Sequence, residues 1–422
     1  MVFISRILLL SPIILGLSNL FGSITQAYNR FTLYALAPIL YNAGIIIGII
    51  VLGEKLGVLG VSIGVIAGAI LHALIQVPFV WKQGLMPRIS LRFDRALIKK
   101  VAQVSLPRTL TLSMGSIALL FLVVLASLMP EGSISILSFS INLSSVPLSL
   151  IGVSYSLAAF PTLTRKFQEK NIAAFVEQMA ASARLIIFWS LPLTALLVVL
   201  RAQVVRVLLG TGLFDWDATR LTAAALALFV LSAVFQSLML LFMRGFYSAG
   251  ITKKPFFIAL ASTVVIGLSS YSLVAIFYTS ETFRHFITAI LKVEDLSETA
   301  VLMLPLGFSI GMIFNAIWLW VAFEKQFGGF SKRVMRTLFE GVGASFIMGA
   351  TAYVGLNVFA ALINTSTLKG IFLQGFLSGI LAIFVGMVIL GALKSRELGE
   401  VLSVVRGNFS KAKVIATDPE IV

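Results

Sequence analysis

Eleven apolar stretches, each long enough to cross a bilayer as a helix, follow one another along all 422 residues, and no other feature constrains the fold as tightly. A helix needs roughly 20 apolar residues to span the hydrocarbon core, and Ile371 to Leu393 carries no charge. Charged residues make up 12% of the chain, about half the share in a soluble domain, so a water-soluble core could not conceal this much apolar surface. In lipid every peptide group must be satisfied within the protein, which restricts the spans to helices or a closed barrel. Barrel strands alternate polar and apolar residues, and a segment such as Ile45 to Leu52 does not. The expected fold is an all-α, polytopic membrane protein with about 11 transmembrane helices.

The spans are expected near residues 7–27, 33–53, 57–81, 101–128, 134–160, 184–200, 220–243, 256–278, 300–322, 338–363 and 371–393. With connections alternating between two faces, 24 of the 32 Lys and Arg residues fall on one face and 8 on the other. The positive-inside rule makes the richer face cytoplasmic, which puts the C-terminus inside and the N-terminus of this chain outside. An odd number of spans with an external start implies absent N-terminal helices. The same rule explains the net charge of +15 without nucleic acid as a partner. Met1 leads into an apolar stretch with no small-residue cleavage site, so a cleaved signal peptide is not expected. The loop from Thr279 to Glu298 holds an apolar island at Phe286 to Leu291 that suits a short interfacial helix. The tail from Lys394 to Val422 reads as solvated peptide.

The chain has no cysteine, and its two histidines, His72 and His285, stand alone. Thiol chemistry is excluded, a metal site would need several convergent donors, and no cofactor or catalytic constellation is expected. None of the 17 acidic residues lies in the middle of an expected span, with Glu54 and Glu340 nearest to one. Ion-driven transporters ordinarily hold a carboxylate at that depth, so no coupling acid is available.

Among basic residues, Arg108 is the most informative. Almost wholly apolar sequence follows it to Leu128, roughly 30 Å of helix, which places Arg108 at the cytoplasmic mouth of the membrane. There it can snorkel to headgroups or meet an anionic group such as phosphate with its planar fork. Pro107 beside it has no amide proton and can open a helix. Most in-span polar residues, such as Asn42, Gln76, Gln236, Asn315 and Asn357, are read as helix-to-helix hydrogen-bonding groups. The run from Ser138 to Pro147 is different. Ser138, Asn142 and Ser145 recur at helical spacing, so one face is polar inside the membrane and should line a cavity, and Pro147 can break the helix after it. Pro12, Pro38, Pro192 and Pro305, with Gly44, Gly48, Gly64 and Gly68, suit kinked helices in close backbone contact.

Four groups of strings share one resemblance. Gln26-Ala-Tyr-Asn-Arg-Phe31 precedes Ala37-Pro-Ile-Leu-Tyr-Asn42, and Leu106-Pro-Arg-Thr109 follows. Val146-Pro-Leu-Ser-Leu-Ile-Gly-Val-Ser-Tyr155 runs into Ala159-Phe-Pro161 and Arg165, and Arg244-Gly-Phe-Tyr-Ser-Ala-Gly250 leads to Lys254-Pro255. In this order they resemble the MurJ (MviN) family of lipid II flippases in the MOP exporter superfamily. The resemblance covers essentially the whole chain. It implies a two-lobe helical bundle around a central cavity, with the loop at Asn29-Arg-Phe31 following the family's fourth helix, so that the first three helices are lacking. The implied division is a partial N-terminal lobe of three helices at 1–95, a six-helix C-terminal lobe at 96–326, two additional helices at 327–393 and a cytoplasmic tail at 394–422.

The activity so implied is movement of an undecaprenyl-pyrophosphate-linked peptidoglycan precursor across the bacterial cytoplasmic membrane by alternating access, without enzymatic chemistry. The expected cavity residues are Asn142, Ser145, Asn42 and Ser138, with Arg108 and Arg30 at the cytoplasmic entrance and Pro107 and Pro147 as hinges. The family's cavity arginine falls on Asn142 and its acidic neighbour on Ser145, which puts charge-based capture of pyrophosphate in doubt. Expected partners are the lipid-linked oligosaccharide, membrane lipids and cell-wall synthesis proteins. Two alternatives remain: a polysaccharide-precursor exporter of the same superfamily, and an inactive relative serving as a membrane scaffold in cell-wall assembly.

Overall fold

A computed structural model describes residues 2–28, 30–87, 94–210, 214–296 and 298–408. Every regular element among them is helical. Three helices long and apolar enough to cross a membrane, α1 (Phe3–Ala27), α2 (Phe31–Leu56) and α3 (Val58–Lys82), come first. Then follow α4 (Arg95–Ser127), α5 (Ser133–Gln168), α6 (Ile172–Val199) and the short α7 (Arg201–Leu209). Next are α8 (Trp216–Ser248), α9 (Lys253–Thr279), the short α10 (Glu281–Leu291) and α11 (Thr299–Phe327). The last three are α12 (Phe330–Leu362), α13 (Leu368–Ala392) and α14 (Arg396–Asn408). Eleven of these meet the length and hydropathy of a membrane span, and they include all eleven expected stretches. The chain divides into two compact units, residues 1–95 and 96–422.

In the first unit α2 packs along α3. Helix backbones come this close only where side chains are missing. A Cβ on Gly48 would sit 2.5 Å from the Cα of Gly64 and 3.0 Å from its nitrogen. At Gly48 to Leu52 the helical ladder of α2 widens into a π turn. Across α1 and α3, Gln76 donates to the Ser18 hydroxyl at 2.9 Å, and that hydroxyl lies 2.6 Å from Nδ1 of His72. Gln76 and His72 thus join helices, as read from sequence for Gln76.

The second unit is built around α8 and α11, which pack against one another and bury 72% of their apolar windows. On the side of the C-terminal helix, Phe175, Phe242, Phe246, Phe323, Phe327 and Phe330 form a ring cluster from α6, α8, α11 and α12, with Phe323 and Phe327 4.7 Å apart. α6 begins twelve residues before the expected span, at Ile172, because Phe175, Val176, Met179, Ala180 and Ala183 supply a buried apolar face and Asn171 caps its start.

Two sequence expectations are corrected here. Pro107 does not open a helix: α4 starts at Arg95 and continues through it. The segment after Lys394 is not simply solvated. It forms α14, whose Glu397 is 3% exposed and sits between Arg184 of α6 at 3.4 Å and the Thr337 hydroxyl of α12, which donates to it at 2.8 Å. Arg184 also meets Glu177 at 3.2 Å, and Glu177 pairs with Arg333 at 2.9 Å. Buried charges persist where partners satisfy them, and this cluster ties α6, α12 and α14 together. Residues 409–422 lie outside the described residues.

The expected interfacial helix is α10, capped by Ser280, with Phe286 and Ile290 exposed on one face. Beyond it, Asp295 receives both guanidinium nitrogens of Arg220, at 2.5 and 2.6 Å, while Arg220 also donates to the Lys292 carbonyl at 2.7 Å. This pair holds the Asp295 carboxyl down to about 2, because the Arg220 hydrogen bonds favour its charged form.

Candidate functional site

α5 carries the polar stripe. Ser133, Leu137, Ser140 and Pro147 are its buried side, and Leu137 belongs to one apolar cluster with Leu221 and Ala225 of α8. On the opposite side Ser138, Asn142, Ser145 and Ser149 recur at steps of four, three and four, and all four are exposed. Asn142 lies nine residues into the helix, about 14 Å along it, close to half the thickness of a hydrocarbon core of about 30 Å.

Hydroxyls on this stripe partly satisfy themselves. Ser145 donates to the Asn142 carbonyl at 2.7 Å and Ser149 donates to the Ser145 carbonyl at 2.9 Å. The Asn142 amide makes no side-chain hydrogen bond among the described residues, leaving two donors and an acceptor oxygen open. Exposed amides in hydrocarbon cost several kcal/mol, roughly 2–7. A face like this one requires water, substrate or another polar surface.

Immediately after Pro147 the ladder departs from the α pattern, where the sequence expected a break. Residues Leu148–Val153 form a π turn and the helix then resumes at Ser154. Proline leaves a carbonyl in the preceding turn without its amide partner, and a π turn absorbs such a defect within a continuous helix. It also seats Gly152 against α8, where a Cβ would lie 2.8 Å from the Cα of Ser237.

Arg108 is exposed on α4, and its guanidinium carbon stands 5.4 Å from the ring centroid of Tyr247 on α8. A cation over an aromatic face is attracted by the ring quadrupole, so Arg108 is steered without being neutralised, and no carboxylate pairs with it among the described residues. The arginine and the stripe thus belong to the same unit. Asn42 and Arg30 belong to the other. Asn42 is exposed on α2 with no side-chain hydrogen bond among the described residues, and Arg30, exposed before α2, stands 5.9 Å from the Phe79 ring. Asn29 lies outside the described residues.

The remaining in-span amides singled out from sequence depart from the expected helix-to-helix bonding. Gln236 donates to Ser232 and Asn357 to the Tyr353 carbonyl, each within its own helix, and the Asn315 amide oxygen is buried without a hydrogen-bond partner among the described residues. No group of three or more His, Cys, Asp or Glu suited to a metal occurs among the described residues.

A family described as lipid II flippase MurJ matches residues 1–373. The chain belongs to the MurJ family. Among its relatives, the lipid II flippase MurJ of Burkholderia cenocepacia is 26% identical over 273 residues, covering 63% of this chain and 53% of that protein. The probable lipid II flippase MurJ of Bdellovibrio bacteriovorus is 30% identical over 245 residues, covering 57% and 47%. The chain therefore spans about half the length of the curated relatives it matches. A solved structure, lipid II flippase MurJ in an inward closed conformation, aligns with a TM-score of 0.64 at 20% identity, over 91% of this chain and 73% of that one. A MATE transporter in complex with MaL6 aligns at 0.60 and 16% identity, over 78% and 70%. At such identities the likeness shows the fold alone, and that fold is common to the aligned MurJ and MATE structures.

The main feature that sequence reasoning missed is the Glu397 cluster. A signal was present: Leu398, Val401, Leu402 and Val405 recur at amphipathic helical spacing, within a segment whose mixed charge suggested solvation.

Proposed function

We propose that this MurJ-family chain carries an undecaprenyl-pyrophosphate-linked peptidoglycan precursor between the leaflets of the bacterial inner membrane by alternating access, as a transporter with no chemical step. The supporting observation is the exposed stripe Ser138, Asn142, Ser145 and Ser149 in the first half of α5, with Asn142 about 14 Å from the helix start. A sugar-phosphate headgroup cannot cross hydrocarbon unaided, and hydroxyl and amide groups replace part of its hydration while the prenyl chain stays in lipid. Arg108, cationic and held over Tyr247, receives the pyrophosphate at the tail-side entrance. The π turn after Pro147 is where α5 flexes, since its ladder is already irregular. The tail side is cytoplasmic, on the basis of its excess of Lys and Arg.

The test is complementation. In cells depleted of their own MurJ, expression of this chain should sustain growth and deliver lipid II to the outer leaflet. Combined Asn142→Ala and Arg108→Ala should abolish both at equal membrane abundance, and undiminished rescue by that double variant would remove these residues from the mechanism. A second reading, a scaffold in cell-wall assembly that moves no lipid, is favoured by the neutral Asn142 where the family resemblance places an arginine. It predicts partner binding without outer-leaflet delivery, and a gain of delivery from Asn142→Arg would argue against it.

A further inference from the structure

On the face opposite α14, a cavity of about 470 Å³ opens between α7, the start of α8 and the turn from α12 to α13, lined by Gln203, Arg206, Trp216 and Gln374 among others. A second cavity, about 430 Å³, runs between α6, α7 and α13 and is walled by Leu200, Phe376, Ile380 and Ile383. Gln203 lines both. One has a mixed lining that includes the cationic Arg206, the other is almost wholly apolar, and they share a wall.

Arg206 has charge to spare. Its NH1 reaches the Phe214 carbonyl at 3.3 Å and the Thr219 hydroxyl at 3.5 Å, both long, and no carboxylate pairs with it among the described residues. Arg220 on the same face is engaged by both oxygens of Asp295. The ring centroid of Trp216, a residue 51% exposed, lies 5.9 Å from the Arg206 guanidinium carbon, and tryptophan is enriched at headgroup depth. Behind them the amides form a directed relay. The Leu356 carbonyl can only accept, so Gln374 donates to it at 2.8 Å and turns its own oxygen to Gln203, which donates at 3.4 Å. That leaves Oε1 of Gln203 buried without a donor among the described residues, an unfavourable state for an amide oxygen.

The recognisable ligand has three parts: an anion for Arg206, a hydroxyl that can donate where α7 meets α13, and a hydrocarbon chain for the groove. We propose that this is a binding site for an anionic phospholipid of that leaflet with a hydroxylated headgroup, the chemistry of phosphatidylglycerol. Its phosphate sits against Arg206 beside Trp216, a glycerol hydroxyl donates to Oε1 of Gln203 once that side chain turns into the cavity it lines, and one acyl chain follows α13 past Phe376, Ile380 and Ile383. A zwitterionic lipid offers no net charge to Arg206 and binds less tightly.

Native mass spectrometry of the full chain in detergent, titrated separately with phosphatidylglycerol, phosphatidylethanolamine and undecaprenyl phosphate, tests this. The unaltered chain should bind phosphatidylglycerol at least tenfold more tightly than phosphatidylethanolamine. Arg206→Gln should erase that preference, Arg206→Lys should keep most of it, and Ile380→Trp, filling the exposed groove, should weaken both phospholipids. The site assignment is overturned by equal affinity for the two phospholipids, by a preference that survives Arg206→Gln in folded protein, or by displacement of phosphatidylglycerol by equimolar undecaprenyl phosphate. The preference of the unaltered chain is decisive even if a variant fails to fold.

Discussion

In residues 1–95 helices α2 and α3 meet through Gly44, Gly48, Gly64 and Gly68, whereas in residues 96–422 the tail-side ends of α6, α8, α11 and α12 meet through large phenylalanine rings. The exposure differs in parallel. α2 buries 17% of its apolar window, and α8 and α11 bury 72% of theirs. Between membrane helices there is no water to expel, so contact must come from close packing. One unit achieves it by removing side chains, which lets backbones touch but leaves two helices flanking one another with their outer faces uncovered. The other fills the space between four helices with rings, which permits central helices covered over most of their apolar surface. Substitutions should therefore have opposite signs of tolerance in the two units.

The largest expected effect is in the ring cluster. Phe323→Ala removes a fully buried ring that touches several others and should cost about 3 kcal/mol, read as a lower thermal midpoint of the purified protein. Ile50→Ala in the first unit deletes a side chain 68% exposed and should leave that midpoint nearly unchanged. Equal losses from the two would break the comparison.

Next comes the glycine contact. Gly48→Ala places a methyl 2.5 Å from the Gly64 backbone, which has no flexible end to yield, and should cost roughly 1–3 kcal/mol. Intramembrane crosslinking between α2 and α3 would report the separation, and an unchanged crosslinking yield would show that the backbones are not in contact.

Glu397→Gln should be milder, because Arg184 keeps Glu177. It should release α14 from α6 and α12 and raise proteolytic cleavage after Lys394 without altering the helices that precede it. A cleavage pattern identical to that of the unaltered chain would mean α14 is held by Leu398 and its apolar neighbours alone.

The smallest effect concerns Asp295. Its folded value of about 2 lies below the ordinary carboxyl value near 3.9. A depressed carboxyl contributes fully above the ordinary value, weakens as pH falls between the two and is lost below the folded one. Amide exchange in α10 should thus stay slow at about pH 5 and rise only as pH approaches 2. Acceleration already near neutral pH would show that Arg220 does not anchor this loop.

The membrane class and each of the eleven spans were legible because apolar length is a one-dimensional property. The stripe on α5 was legible for a related reason, since residues three and four apart share a helix face whatever lies opposite. So was the irregularity after Pro147, as proline lacks its amide in any surroundings. Less legible was the extent of helices beyond the bilayer. The start of α6 rests on an apolar face that other helices complete, as does α14 at Leu398 and Val401, and α4 runs through Pro107 without a break.

What the amino-acid order determined by itself was the solvent, the helices and which positions along each helix are polar, all consequences of local geometry and of the cost of bare peptide groups in lipid. Only the tertiary structure decided that Glu397 is enclosed by Arg184 and Thr337, that Arg206 stands without a carboxylate while Arg220 has one, and that Gly48 meets Gly64. Those outcomes depend on residues far apart in the chain arriving at one point, and the strength of a charge or the room for a methyl group is set by what else arrives there.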